Sequence, residues 1–125
     1  MVAKLTSLKM LIVDDELGIS ESLKDYFELE NFEVQTASSG NKALEIMNKQ
    51  SFDIVISDVR MPDGDGRFLL KAIRKIHPTK PIVIMMSGFS DLSIDEVLKE
   101  GGTALLSKPF QPHELLKIVK QVINK

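Results

Sequence analysis

Four short apolar runs in this chain each lead into an acidic, hydroxyl or basic residue. Met10-Leu11-Ile12-Val13 runs into Asp14-Asp15, and Ile54-Val55-Ile56 runs through Ser57 into Asp58. Ile82 to Met86 runs into Ser87, and Ala104-Leu105-Leu106 runs through Ser107 into Lys108-Pro109. If the runs are parallel strands of one sheet, all these side chains gather at the carboxyl ends of the strands. That rim is where open α/β sheets bind ligands. Three carboxylates, a hydroxyl and an ammonium in one place suit metal-assisted phosphoryl chemistry.

The segments between the runs have helical period. Leu17 to about Glu30 places Ile19, Leu23, Tyr26 and Phe27 on one face. Ser39–Gln50 carries Ala43, Leu44 and Met47 at helical spacing, with Ser38 or Ser39 as N-cap. Phe68–His77 turns Leu69, Leu70, Ile73 and Ile76 inward. Leu92–Glu100 is a short helix with a thin apolar face of Leu92, Val97 and Leu98, closed by Gly101-Gly102. Pro112 opens the last helix at its first turn, with Leu115, Leu116, Ile118, Val119, Val122 and Ile123 as its buried stripe. The strands are Lys9–Val13, Glu33–Ala37, Asp53–Ser57, Ile82–Met86 and Thr103–Ser107. Glu33–Ala37 alternates polar and apolar and reads as less buried, at a sheet edge. Ile82–Met86 is almost wholly apolar, as a strand covered on both faces should be. Alternating β and α elements imply a parallel sheet with helices on both faces and right-handed crossovers.

Composition narrows the function. The 125 residues suffice for one domain, with 43% hydrophobic and 27% charged residues. The single domain is expected to span 1–125, with its core over about 8–124. A net charge of −2 does not fit phosphate-backbone binding, which needs clustered Lys and Arg, so no direct nucleic-acid contact is expected. Cysteine is absent, which excludes disulfides, thiolate catalysis and Cys-ligated zinc. No run approaches the ~20 apolar residues of a membrane span, and Met1 to Met10 lacks the apolar core of a signal peptide. A cytoplasmic protein without membrane contact is the default expectation.

Asp14 and Asp15 are adjacent, and in a loop opening a helix both can turn toward one cation. Mg²⁺ takes one or two carboxylates plus phosphate and keeps several waters. Asp58 adds a third carboxylate. Uncompensated, such groups repel and raise one another's pKa; a divalent cation or Lys108 removes that conflict. Taken singly, Asp15 could merely cap a helix and Asp58 could merely begin a turn.

Together these residues resemble the receiver domains of response regulators, in the flavodoxin-like doubly wound fold: five parallel strands in the order 2-1-3-4-5 with five helices. The resemblance covers roughly Leu8 to Asn124. It implies that Asp58, in Ser57-Asp58-Val59-Arg60-Met61-Pro62, is the phosphoacceptor. It implies Asp15 as a direct ligand of Mg²⁺, for which Mn²⁺ would substitute, with Asp14 acting mostly through water. Asp58 and the backbone carbonyl of Arg60 complete the implied metal set. Ser87, followed by Gly88, matches the Ser/Thr switch, and Lys108 matches the lysine before a cis proline. The implied function is a phosphoacceptor switch rather than an enzyme in the ordinary sense. It would take its phosphoryl group from a histidine kinase or a histidine phosphotransfer protein. A change in the face made by the fourth helix, fifth strand and fifth helix would then control an output protein or a further output domain. Both a stand-alone receiver and a domain of a larger regulator fit the sequence.

Two departures stand out. Leu105 occupies the position where the family often has an aromatic switch, and the chain's one tyrosine, Tyr26, lies elsewhere. Arg60 and Phe89 sit two residues after the phosphoacceptor and the switch serine. They are expected either to hinder water and lengthen the phosphoryl lifetime, or to be ordinary surface variation.

Rival readings fit less well. A haloacid-dehalogenase-like phosphatase needs Asp-x-Asp, and Asp58-Val59-Arg60 lacks the second acid. An EF-hand register through Gly66 puts Met61 and Ala72 at ligand positions. No glycine-rich phosphate loop follows the first strand. An unphosphorylated docking module stays open, although the complete acidic set speaks against it. His77, at a helix end, and His113, expected in solvent, are not at the rim.

Overall fold

The computed structural model describes residues 8–88 and 92–124. Five strands alternate with five helices: β1 Lys9–Val13, α1 Leu17–Leu29, β2 Glu33–Ala37, α2 Gly40–Met47, β3 Ile54–Asp58, α3 Gly66–Ile76, β4 Ile82–Ser87, α4 Ile94–Lys99, β5 Ala104–Ser107 and α5 Pro112–Ile123. They form one parallel sheet in the order β2-β1-β3-β4-β5, the expected flavodoxin-like doubly wound fold. The strand order reverses between β1 and β3, so a crevice opens at their carboxyl ends.

The two-residue period of each strand divides the core into two layers. Leu11, Val13, Val55, Val83 and Met85 face a cluster with Ala43, Leu69, Leu70, Ile73 and Val97 of α2, α3 and α4. Met10, Ile12, Ile54, Ile56, Ile84 and Met86 face Leu23 and Phe27 of α1 and Leu115, Leu116 and Val119 of α5. Every residue of β3 is buried, as the middle strand of a covered parallel sheet should be. β2 lies at an edge, with Glu33 exposed and Gln35 half-buried.

Local signals set the helix starts. Ser39 caps α2 by accepting the Lys42 N–H. Asp65 caps α3 by accepting the Phe68 N–H, which starts that helix two residues before the expected Phe68. Ser93 and Glu96 form a capping box at α4. Glu114 accepts the Gln111 N–H ahead of Pro112 at α5.

Two expected core positions are not core. Ile76 is 65% exposed, because Ile73 is the last buried residue of α3 and the apolar stripe runs past the sheet after it. Leu98 is 52% exposed. With only six residues, α4 has Val97 as its one buried position, and Leu98 lies about 100° around the helix from it. Leu92 is buried but precedes the helix. α2 also ends at Met47, short of Gln50.

Candidate functional site

The parallel register carries the polar residues to one rim. β1 ends at Val13, and the ladder with β2 continues through Asp14 N–H to Ala37 O at 3.0 Å. Asp14 is fully buried, while Asp15 beside it is exposed. One Asp14 oxygen accepts the Glu16 N–H at 2.9 Å and the other faces Lys108 Nζ at 3.2 Å. The carboxylate that serves the start of α1 is therefore Asp14; Asp15 does not cap the helix. Carboxylate oxygens of Asp14, Asp15 and Asp58 lie within 4.8 Å of one another.

Asp58 ends β3. Its Oδ1 accepts the Val59 N–H at 3.0 Å, and its Oδ2 stands 3.3 Å from Lys108 Nζ. Lys108 follows β5, and its own N–H donates to Ser87 O at 2.8 Å. Its peptide bond to Pro109 is cis. Ser87 is buried at the end of β4. Asp15, Asp58, Ser87 and Lys108 line one pocket, with Val59 and Arg60 as a wall. The structure thus brings together all the residues expected at the rim. Phe89 lies outside the described residues. Arg60 is exposed.

Charge balance at the pocket is uneven. Burial is the largest influence on the Asp58 carboxyl and holds it above its ordinary value; Lys108 opposes this and Asp14 adds to it. Burial alone would pull the Lys108 ammonium down, but Asp14 and Asp58 outweigh it and leave it above its ordinary value. One lysine therefore serves two carboxylates and does not fully offset the burial of Asp58. Such a pocket is suited to a further cation. The oxygen-only donors are those a hard ion such as Mg²⁺ prefers, and the residues present fit that group.

Sequence reasoning missed the residues that fix the loop after Asp58. Asp63 has φ 60° and Gly64 φ 95°, the turn signalled by Pro62-Asp63-Gly64. Asp63 accepts hydrogen bonds from Ser39 Oγ at 3.0 Å and Asn41 Nδ2 at 2.9 Å. These bonds, the first from Asn41, hold its carboxyl below its ordinary value. No sequence signal links residues so far apart in the chain.

The family model of the response regulator receiver domain matches residues 10–120. The chain belongs to this family. Receiver domains are phosphoacceptor switches of two-component signalling, and they bind Mg²⁺ at an acidic pocket. Among similar proteins, the transcriptional regulatory protein CpxR homolog of Haemophilus influenzae is 35% identical over 94% of this chain and 51% of its own length. CpxR of Escherichia coli is 33% identical over 94% of this chain and 50% of its own length. The chain spans about half the length of these curated relatives. The structure of the chemotaxis response regulator CheY4 of Vibrio cholerae matches with a TM-score of 0.85 and 35% identity, covering 94% of this chain and 99% of that one. No described helix is long and apolar enough to cross a membrane.

Proposed function

We propose that this receiver accepts a phosphoryl group on Asp58 from the phosphohistidine of a histidine kinase or a histidine phosphotransfer protein. The observation that carries the reading is the position of Asp58: last residue of the central strand, 3.3 Å from Lys108, with the carboxylates of Asp14 and Asp15 within 4.8 Å. A carboxylate oxygen of Asp58 attacks phosphorus, the P–N bond to the donor imidazole breaks, and an acyl phosphate forms on Asp58. Lys108 offsets charge on the phosphoryl oxygens, so positioning and electrostatics supply most of the acceleration. Asp15, Asp58 and the Arg60 carbonyl would hold Mg²⁺ or Mn²⁺, with Asp14 behind them. When bound, the ion supplies the positive charge that Lys108 alone cannot.

The Ser87 hydroxyl donates to a phosphoryl oxygen and carries the signal into the loop before α4. The face made by α4, β5 and α5 then changes its fit to an output protein or a further output domain. Leu105 pairs with Met85 across β4 and β5 and is half-buried, so a leucine repacking takes the place of an aromatic switch. The test is intact-mass measurement after acetyl phosphate with Mg²⁺. One added phosphate is expected, absent after EDTA and absent in Asp58→Ala. Full labelling of Asp58→Ala would overturn the assignment.

A further inference from the structure

Val59 and Arg60 wall the acidic pocket, so the loop from Asp58 to α3 must hold its backbone still. Its base is closed: Val59 N–H donates to Met86 O at 2.9 Å, and Gly66 N–H donates to Val59 O at 2.9 Å. Its apex is fastened to the start of α2 by four contacts. Besides the two side-chain bonds to Asp63, Asn41 N–H donates to Asp63 O at 3.2 Å and Gly40 N–H donates to Gly64 O at 2.7 Å. The approach is close enough that a Cβ on Gly40 would stand 2.6 Å from Gly64 O. The anchor is itself fixed, because Ser39 is buried and caps α2.

We propose that Asp63 is a positioning residue: through Ser39 and Asn41 it fixes the Val59–Arg60 backbone beside Asp58 and so sets the affinity of the pocket for Mg²⁺. The inference rests on the metal-assisted reading above and extends it to a residue outside the pocket. Asp63 is acidic and near the rim, yet it does not join the gathered carboxylates, which among the described residues are Asp14, Asp15 and Asp58. Both its oxygens are engaged by α2. Its left-handed backbone is unfavourable for most side chains and tolerated best by Asn and Asp. The bonds to Ser39 and Asn41 hold that conformation in place. Between the closed base and the fastened apex, Arg60, Met61 and Pro62 have little room to move.

The experiment is Mg²⁺ titration by calorimetry on wild type, Asp63→Ala, Asn41→Ala and Asp63→Asn, with phosphorylation by acetyl phosphate followed across the same Mg²⁺ range. Asp63→Ala and Asn41→Ala should bind Mg²⁺ about tenfold more weakly, the usual scale for groups that orient a metal's ligands. Their phosphorylation rates at saturating Mg²⁺ should approach wild type. Asp63→Asn keeps an acceptor and tolerates the backbone, so it should recover most of the affinity. A merely structural turn would lower the melting temperature and leave Mg²⁺ affinity unchanged. Unchanged affinity in both alanine variants overturns the proposal. Absence of Mg²⁺ binding by wild type overturns instead the reading on which it rests.

Discussion

Lys108 Nζ stands 3.3 Å from Asp58 Oδ2, yet the Asp58 carboxyl remains above its ordinary value because burial outweighs the ion pair. The lysine also faces Asp14 at 3.2 Å, so its charge is shared. A carboxyl whose pKa is higher in the folded protein than in the unfolded chain costs stability once it is ionised. At neutral pH the metal-free protein therefore carries an unfavourably buried charge, with Asp14 adding to its cost, at the position that would receive the phosphoryl group.

Asp58→Asn should accordingly raise the melting temperature of the metal-free protein, by about 2–6 °C. Lys108→Met should do the opposite, because it leaves two buried carboxylates without a counter-charge. A loss of about 1–3 kcal/mol is expected for a pair that is partly solvated. Thermal melts in EDTA at pH 7 check both. The gain should come from Asp58 rather than Asp15, because Asp15 is exposed and its charge is already solvated.

Asp14 and Asp15 should separate in a metal titration. Asp14 is fully buried, with one oxygen on the Glu16 N–H and the other on Lys108. Asp15 is exposed at the pocket. Asp15→Ala should therefore weaken Mg²⁺ binding more than Asp14→Asn, by at least about tenfold. Asp14→Ala should cost more stability than Asp15→Ala, because it strips the acceptor from Glu16 and half of the partnership of Lys108. Calorimetry and urea denaturation report the two effects independently.

The strands were legible because a covered parallel sheet demands continuous apolar runs, and the rim followed from what came after each run. Asp14, Asp15, Asp58, Ser87 and Lys108 all lie where those runs end. The helix ends were less legible. Ile76 continues the apolar period of α3, but periodicity does not record where the sheet beneath it stops. Leu98 fails for a different reason: a helix of six residues buries only Val97, and Leu98 lies about 100° around from it. The fastenings between elements could not be read at all. Arg74 donates to Gly101 O at 2.8 Å, Pro81 O at 2.7 Å and His77 O at 3.3 Å, joining α3 to the loops beside it. Arg67 pairs through two nitrogens with Glu100 at the end of α4. A surface arginine in a helical pattern reads as solvated until the fold puts carbonyls or a carboxylate in its reach.

Acid should weaken α4 through its capping box. Glu96 accepts the Ser93 N–H at 3.0 Å, and this bond, then that of the Ser93 side chain, holds its carboxyl below its ordinary 4.5. A depressed carboxyl contributes stability that is present above the unfolded value and lost as pH falls through the folded one. Arg67 and Lys99 also favour the ionised form of Glu96. Wild type should therefore melt above Glu96→Gln at pH 7, and the difference should shrink as pH falls below 4.5. Asp58, shifted the other way, is common to both proteins and cancels in the comparison. A difference that stays constant across the window would assign the cap to geometry rather than to charge.

Two glycines in the same fold should respond in opposite directions to alanine. A Cβ at Gly66 would stand 2.3 Å from Asp58 O and 2.6 Å from Met85 Cε. The methionine could move, but the carbonyl is Asp58's own backbone, which accepts from Ser57 Oγ at 2.9 Å and stands in register with Met86 of β4. Gly66→Ala must therefore displace either α3 or Asp58. A loss of about 1–3 kcal/mol is expected, with slower phosphorylation of Asp58 in whatever fraction stays folded. Gly18 lies inside α1, and a Cβ there would meet nothing within 4 Å. Gly18→Ala removes only the backbone entropy of glycine in a helix, so it should stabilise by about 0.5–1 kcal/mol and leave phosphorylation unchanged. Urea denaturation and acetyl phosphate labelling of the two variants side by side decide it. Wild-type stability in Gly66→Ala would mean that the backbone at Asp58 yields, and that the end of β3 holds Asp58 less rigidly than its contacts require.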